Sequence, residues 1–113
     1  MTMTYREFVK AQKRKDKMKA KMSSLRLFDP GQIVATPGAL DLMNNNAISP
    51  LELLMRHTHG DWGDVDQEDA VANDHSVKDG TRILSSYHIA GETIWVITEA
   101  DRSASTFLLP EDY

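Results

Sequence analysis

The chain has 113 residues, with 41% apolar and 27% charged side chains and no cysteine. That suffices for one modest core, and it excludes disulfides, thiolate metal sites and, since no run nears the roughly 18 apolar residues of a span, a membrane helix. The net charge of −4 is unevenly spread: residues 1–28 hold nine basic against two acidic side chains, a net +7, and the rest hold four against fifteen, a net −11.

Residues 1–28 read as a basic helical arm, and 29–113 as a single α+β domain. Thr4 and Glu7 have capping-box spacing, which satisfies two free N–H groups at a helix start. Phe8, Ala11, Met18, Met22 and Leu25 then mark a thin apolar stripe, broken by Lys15. The arm lacks the apolar centre of a signal peptide, so a cytoplasmic protein is expected. Its Lys10, Lys13, Arg14 and Lys17 are candidate phosphate contacts. The alternatives are a solvated charged face and docking onto an acidic partner, including the acidic body of a second copy. Asp29-Pro30-Gly31 forms a turn that separates arm from body.

Two short helices follow. Thr36 caps the first, with Pro37 at a position where a missing N–H costs nothing; Leu40 and Met43 give its apolar edge and Asn44-Asn45-Asn46 ends it. In "SPLELL", Ser49 and Glu52 suggest a capping box, Leu51, Leu54 and Met55 an apolar face, and Gly60 the end. A third helix is expected from the cap Asp66 to Lys78, with Ala70, Val71 and Val77 inward and Gly80 just past its end. The period then changes. "TRILSSYHI" alternates Ile83, Ser85, Tyr87 and Ile89 against Arg82, Leu84, Ser86 and His88, as a half-buried strand does. A turn at Ala90-Gly91-Glu92, the apolar "TIWVIT", a turn at "EADRS" and "ASTFLL" complete a three-stranded antiparallel meander, ended by Pro110. Gln32-Ile33-Val34 supplies a fourth strand in the larger version of this plan. The expected fold is thus α+β, with N-terminal helices followed by an antiparallel meander.

Two stretches carry chemically active side chains. In "RHTHGDWGD", His57, His59 and Asp61 have the H-x-H-x-D spacing of zinc hydrolases. The pattern breaks at Trp62, and residues two apart on a helix point in different directions, so a shared ion is disfavoured. The structural reading makes Gly60–Asp64 a turn with aspartates accepting backbone N–H bonds, and Trp62 its buried anchor. A binding loop using Trp62 and Asp64 can be built on the same turn. In "ITEADRSASTFLLPEDY", Glu99, Asp101 and Arg102 surround a hairpin turn. His88, Arg82, Glu99 and Arg102 would suit a small metal-independent ribonuclease, with a base for the 2′-hydroxyl and a cation for the phosphorane, provided they share one cleft. The acidic body opposes phosphate binding there.

"FDPGQIVATPGAL", "SPLELLMRHTHGDWGD", "DGTRILSSYHI" and "IWVITEADRSASTFLLPEDY" together resemble a family of small plasmid-related and integrative-element proteins. Some members bear the label type I restriction subunit M. The Gly-rich βα unit that a methyltransferase needs for its cofactor is missing here. The resemblance spans residues 28–113, with its GDWGD and TEADRS strings on Gly60–Asp64 and Thr98–Ser103. It implies an accessory protein of a mobile genetic element, working on other macromolecules.

The expectation is therefore a non-enzymatic binding protein, nucleic-acid-associated or acting on host defence, with no cofactor. Its partner would be a protein or nucleic acid. A second copy is also considered, docking on exposed faces of Trp95 or Phe107. The ribonuclease-like enzyme using His88 and Arg102 is the alternative.

Overall fold

A computed structural model describes residues 26–113. The expected arm helix and its Lys10, Lys13, Arg14 and Lys17 lie outside the described residues. The body begins with strand β1 (Gln32–Ala35), continues through helices α1 (Pro37–Asn45), α2 (Pro50–Thr58) and α3 (Gln67–Asp79), and closes with strands β2 (Ile83–Ile89), β3 (Glu92–Thr98) and β4 (Ala104–Leu108). A single 3-10 turn, Pro110–Asp112, follows.

The helix starts follow from their caps. Thr36 Oγ1 accepts from the Ala39 N–H at 3.3 Å, and Asp66 Oδ1 from the Asp69 N–H at 2.8 Å. Ser49 Oγ instead accepts from the Leu51 N–H, 3.2 Å away, so the cap on α2 closes one residue earlier than the expected box. Its end also differs: α2 stops at Thr58, with His59 as C-cap, before Gly60. Leu53, His57 and Thr58 are the buried residues of α2 and Leu54 packs against the core as expected, while Leu51 is 51% exposed. Leu51 belongs to the first turn and points away from the sheet. On α3, Ala70 and Val77 pack inward as expected, but Val71 is exposed, and the polar Asn73 and Ser76 are buried instead.

The sheet order is β1-β4-β3-β2. β2, β3 and β4 form the expected antiparallel meander, and the Ala90-Gly91 turn has positive φ at both residues, as two-residue hairpins favour. β1 changes the whole: it lies parallel to β4, with Gln32 opposite Ala104 and Ala35 opposite Phe107. The sheet is therefore mixed, and a strand precedes the helices. A parallel neighbour needs a crossover, and here three helices and a hairpin intervene before the chain returns as β4.

One sheet face carries the core. Tyr87, Ile89, Ile94, Val96 and Phe107 meet Ala39, Leu42 and Met43 of α1 and Leu53 of α2. A second cluster at the β2 end joins Phe28, Trp62 and Ile83 to Val65, Ala70 and Val77. Phe107 is fully buried and so supplies no open face for a dimer, while the half-buried Trp95 packs edge-on against Tyr113, ring centroids 5.9 Å apart. No helix among the described residues is long and apolar enough to cross a membrane.

Candidate functional site

The GDWGD turn is built by two glycines and one anchored ring. Gly60 and Gly63 have φ of 87° and 74°, a region costly for other residues. A Cβ on Gly63 would run into the Ser86 carbonyl, because the turn lies against β2 as a one-residue parallel bridge. The Asp64 N–H donates to Ser86 O at 2.7 Å and the Ser86 N–H to Trp62 O at 3.0 Å. Trp62 is 6% exposed and donates its indole N–H to Asp74 on α3 at 3.1 Å. Asp61 accepts from Arg56 at 2.7 Å and from the Gly63 N–H at 3.2 Å, and these bonds hold its carboxyl below the usual range. Tyr87 donates to Asp61 O at 2.6 Å; burial pushes its phenol pKa up.

Beneath this turn His57 sits fully buried between two strands. Its Nδ1 is 2.6 Å from Ser85 Oγ and its Nε2 2.8 Å from Thr98 Oγ1. Thr98 Oγ1 lies 2.6 Å from Ser105 Oγ, which donates to the Pro30 carbonyl at 2.7 Å. That last bond fixes the direction of the bonds back to Nε2 of His57, and the neutral charge that burial imposes on the ring fixes the Nδ1 bond. A carbonyl only accepts, so the Ser105 proton is committed to Pro30, and Thr98 donates to Ser105. Nε2–H then donates to Thr98, and Nδ1 accepts from Ser85. The network assigns a neutral, Nε2-protonated imidazole, with one proton in each bond. Burial first, and then the Arg102 charge, lowers the His57 pKa to about 3. The chain is a polar tie: it joins α2 to β2, β3, β4 and the turn before β1.

Arg102 closes the opposite side of the same cluster. It holds φ of 60° in the β3–β4 turn. Nη1 donates to Thr81 O at 2.7 Å and Glu99 O at 3.1 Å, and Nη2 to Ser76 O at 2.8 Å. It thus adds a donor to the Ser76 carbonyl, which also accepts from the Gly80 N–H at 3.0 Å, and ties the C-terminal end of α3 to the β3–β4 turn. The guanidinium carbon lies 5.5 Å from the Phe28 ring centroid. Phe28 stacks on Trp62 at 6.3 Å and meets His57 edge-on at 5.2 Å. The two motif strings therefore meet through Phe28, in a filled interior.

The other candidate residues lie apart from this cluster. His88 pairs with Asp64 at 2.7 Å, both side chains more than half exposed. It stands opposite Thr93, at the far end of the β2–β3 hairpin from Ile83 and Thr98, about 16 Å away at strand rise. Glu99 pairs with Arg82 at 3.2 Å on the surface. The structure does not bring His88 to Glu99 and Arg102. Nor does it bring His57, His59 and Asp61 together: His57 is enclosed, His59 Nδ1 turns to the Met55 carbonyl at 2.6 Å, and Asp61 faces Arg56. Among the described residues no group of three or more His, Asp or Glu is placed to hold a metal ion. A cavity of about 210 Å³ at Glu92, Thr93, Leu109, Pro110 and Glu111 contains none of the candidate residues.

Sequence reasoning missed two features that organise this region, a set of three hydroxyls and one amide. Ser85, Thr98 and Ser105 are hydroxyls on the buried strand face, and for Ser85 the alternation with Ile83, Tyr87 and Ile89 already signalled a buried partner. Asn73 is the second: its Nδ2 donates to Leu84 O at 2.7 Å and its Oδ1 accepts the Leu84 N–H at 3.2 Å, so the side chain stands in for a neighbouring strand. Nothing local marks it. No protein-family model, curated protein or solved structure matches the chain.

Proposed function

We propose that this chain is a non-enzymatic, macromolecule-binding accessory protein, of the kind mobile genetic elements carry, which contacts nucleic acid through its basic N-terminal segment. The observation that carries this reading is the charge split, +7 over residues 1–28 against −11 over the rest. Phosphate attracts lysine and arginine in clusters, and an acidic body would leave such contacts to the segment alone. The engagement of Arg102, Trp62 and His57 inside the fold supports it further, because their polar atoms are spent on holding elements together. The implied setting is the cytoplasm, and the implied role includes acting on host defence systems that handle nucleic acid.

The test compares the full chain with a full-length variant in which Lys10, Lys13, Arg14 and Lys17 are all glutamine. Gel shifts on double- and single-stranded DNA across a salt series should show binding by the unaltered chain that weakens steeply with salt. Loss of four phosphate contacts should flatten the log–log salt slope by about 3 to 4. Equal affinity and slope for the two proteins, or no binding at low salt, overturns the reading.

A further inference from the structure

The three helices differ in charge. On α1 the one ionised side chain is Asp41, and on α2 Glu52 is balanced by Arg56. α3 holds Glu68, Asp69, Asp74 and Asp79 against Lys78, and its cap Asp66 adds a fifth carboxylate. All five are exposed, and the ion pairs of the described residues take up Asp61, Asp64 and Glu99 instead. Helix stability accounts for part of the set: Asp66, Glu68 and Asp69 sit at the positive end of the dipole, and Asp74 accepts the Trp62 indole N–H. Asp79 does not fit that account, because it lies in the last turn, where the dipole opposes a carboxylate. Val71 and Ala72 are exposed on the same helix.

The chain enters the fold beside these carboxylates. The Leu27 N–H donates to Thr58 O at 2.8 Å, Phe28 stacks on Trp62 at 6.3 Å, and Trp62 reaches Asp74 at 3.1 Å. Residues 1–25, which lead to this point, hold eight basic against two acidic side chains. Extended, they would reach about 80 Å, several times the roughly 20 Å length of α3.

We infer that residues 1–25 dock on the exposed acidic face of α3 in the free protein, and that nucleic acid displaces them from it. Charge and attachment together select this occupant. Single exposed lysine–carboxylate pairs contribute little and are screened by salt, so the contact is weak and reversible. Attachment at Phe28 raises the local concentration of the segment to the order of millimolar, which a second copy at micromolar concentration does not match. A nucleic-acid duplex does compete, through its denser charge and the counterions it releases. α3 is then an internal competitor that holds the basic segment back from weak polyanions. The displacement rests on the function proposed above; the docking does not.

The test is zero-length carbodiimide cross-linking of the full chain, which joins lysine amines to carboxylates in contact. The six lysines of residues 1–25 should link to Glu68, Asp69, Asp74 and Asp79 at least about fivefold more often than to the equally exposed Asp41, Glu52, Glu92 and Glu111. A mixture of isotope-labelled and unlabelled protein should show these links within one chain, and added salt should suppress them. Links spread evenly over the exposed carboxylates, or formed between chains, overturn the docking. A second measurement addresses displacement. Glu68→Gln/Asp69→Asn/Asp79→Asn should bind duplex DNA about threefold or more tighter than Asp41→Asn/Glu52→Gln/Glu111→Gln, which removes the same charge elsewhere. Equal affinities, with the α3 links present, overturn the displacement alone. An unaltered chain that binds no DNA removes the proposed function, while the cross-links still decide the docking. Unfolding curves matched to the parent show that each variant is folded.

Discussion

The β2 side and the β1 side of this sheet treat their polar groups in opposite ways. On the β2 side, polar atoms are drawn inward and paired: His57 between Ser85 and Thr98, Asn73 on Leu84, Arg102 on three carbonyls. No buried side-chain nitrogen or oxygen among the described residues lacks a hydrogen-bond partner. On the β1 side, a short uncharged strand leaves backbone groups facing solvent. A buried polar group without a partner costs more than a made bond returns, so the closed side is fragile to single changes. The open side is already hydrated and should tolerate them. The edge closed by side chains and a turn is thus the polar one, and the open edge is the uncharged one.

The sharpest way to break this contrast is His57→Ala. It leaves a void and strips Ser85 of its acceptor and Thr98 of its donor, which should cost about 3 to 5 kcal/mol in denaturant unfolding. The His57→Ala chain should also lose the part of the intact chain's acid sensitivity that lies between pH 6.5 and about 3. The folded pKa, about 3, lies below the ordinary 6.5, so the unfolded chain binds more protons between them. Stability contributed by neutral His57 is complete above pH 6.5 and is lost as pH falls toward 3. Its full extent is about 5 kcal/mol. An unfolding free energy flat from pH 7 to about 4 in the unaltered protein would contradict the assigned neutral network.

Arg102→Ala should come next, at about 2 kcal/mol, since the three carbonyls it serves are near enough to the surface for water to replace part of the loss. Arg102→Lys should recover little, because a single ammonium cannot span Thr81, Glu99 and Ser76 as the planar fork does. Amide exchange at the C-terminal turn of α3 would register the loosened end. Asn73→Ala should cost least on this side, about 1 to 2 kcal/mol, and should selectively speed exchange of the Leu84 N–H. If Asn73→Ala left that amide protected, the covered edge would owe nothing to the side chain. On the open side, Ile33→Lys should change stability by under about 0.5 kcal/mol in the same denaturant unfolding.

How much of this was legible in sequence depends on the range over which each feature acts. Thr36, Asp66 and Gly80 announced helix ends through groups a few residues away, and alternation in "ILSSYHI" named the buried face of β2, Ser85 included. Trp62 was identified as the anchor of its turn, and it buries its ring and donates its N–H as expected. The face of α2 was misjudged because His57 reads as polar in isolation. It becomes a core residue only where hydroxyls from β2 and β3 stand at both ring nitrogens. Arg102 read as a catalytic cation for a similar reason: three carbonyls from α3, the loop after it and its own turn collect it, and none is its sequence neighbour save Glu99.

The sequence by itself determined the caps, the turns, the hairpin, the α+β class and the opposition of a basic segment to an acidic body. These are matters of local hydrogen bonding, steric period and summed charge, fixed within a few residues or by counting. Only the tertiary structure decided that β1 runs parallel to β4, that GDWGD and TEADRS meet through Phe28, and that one sheet edge is covered and the other open. Each of these depends on which distant groups remain unsatisfied once the local elements have formed, and a linear pattern does not specify that remainder.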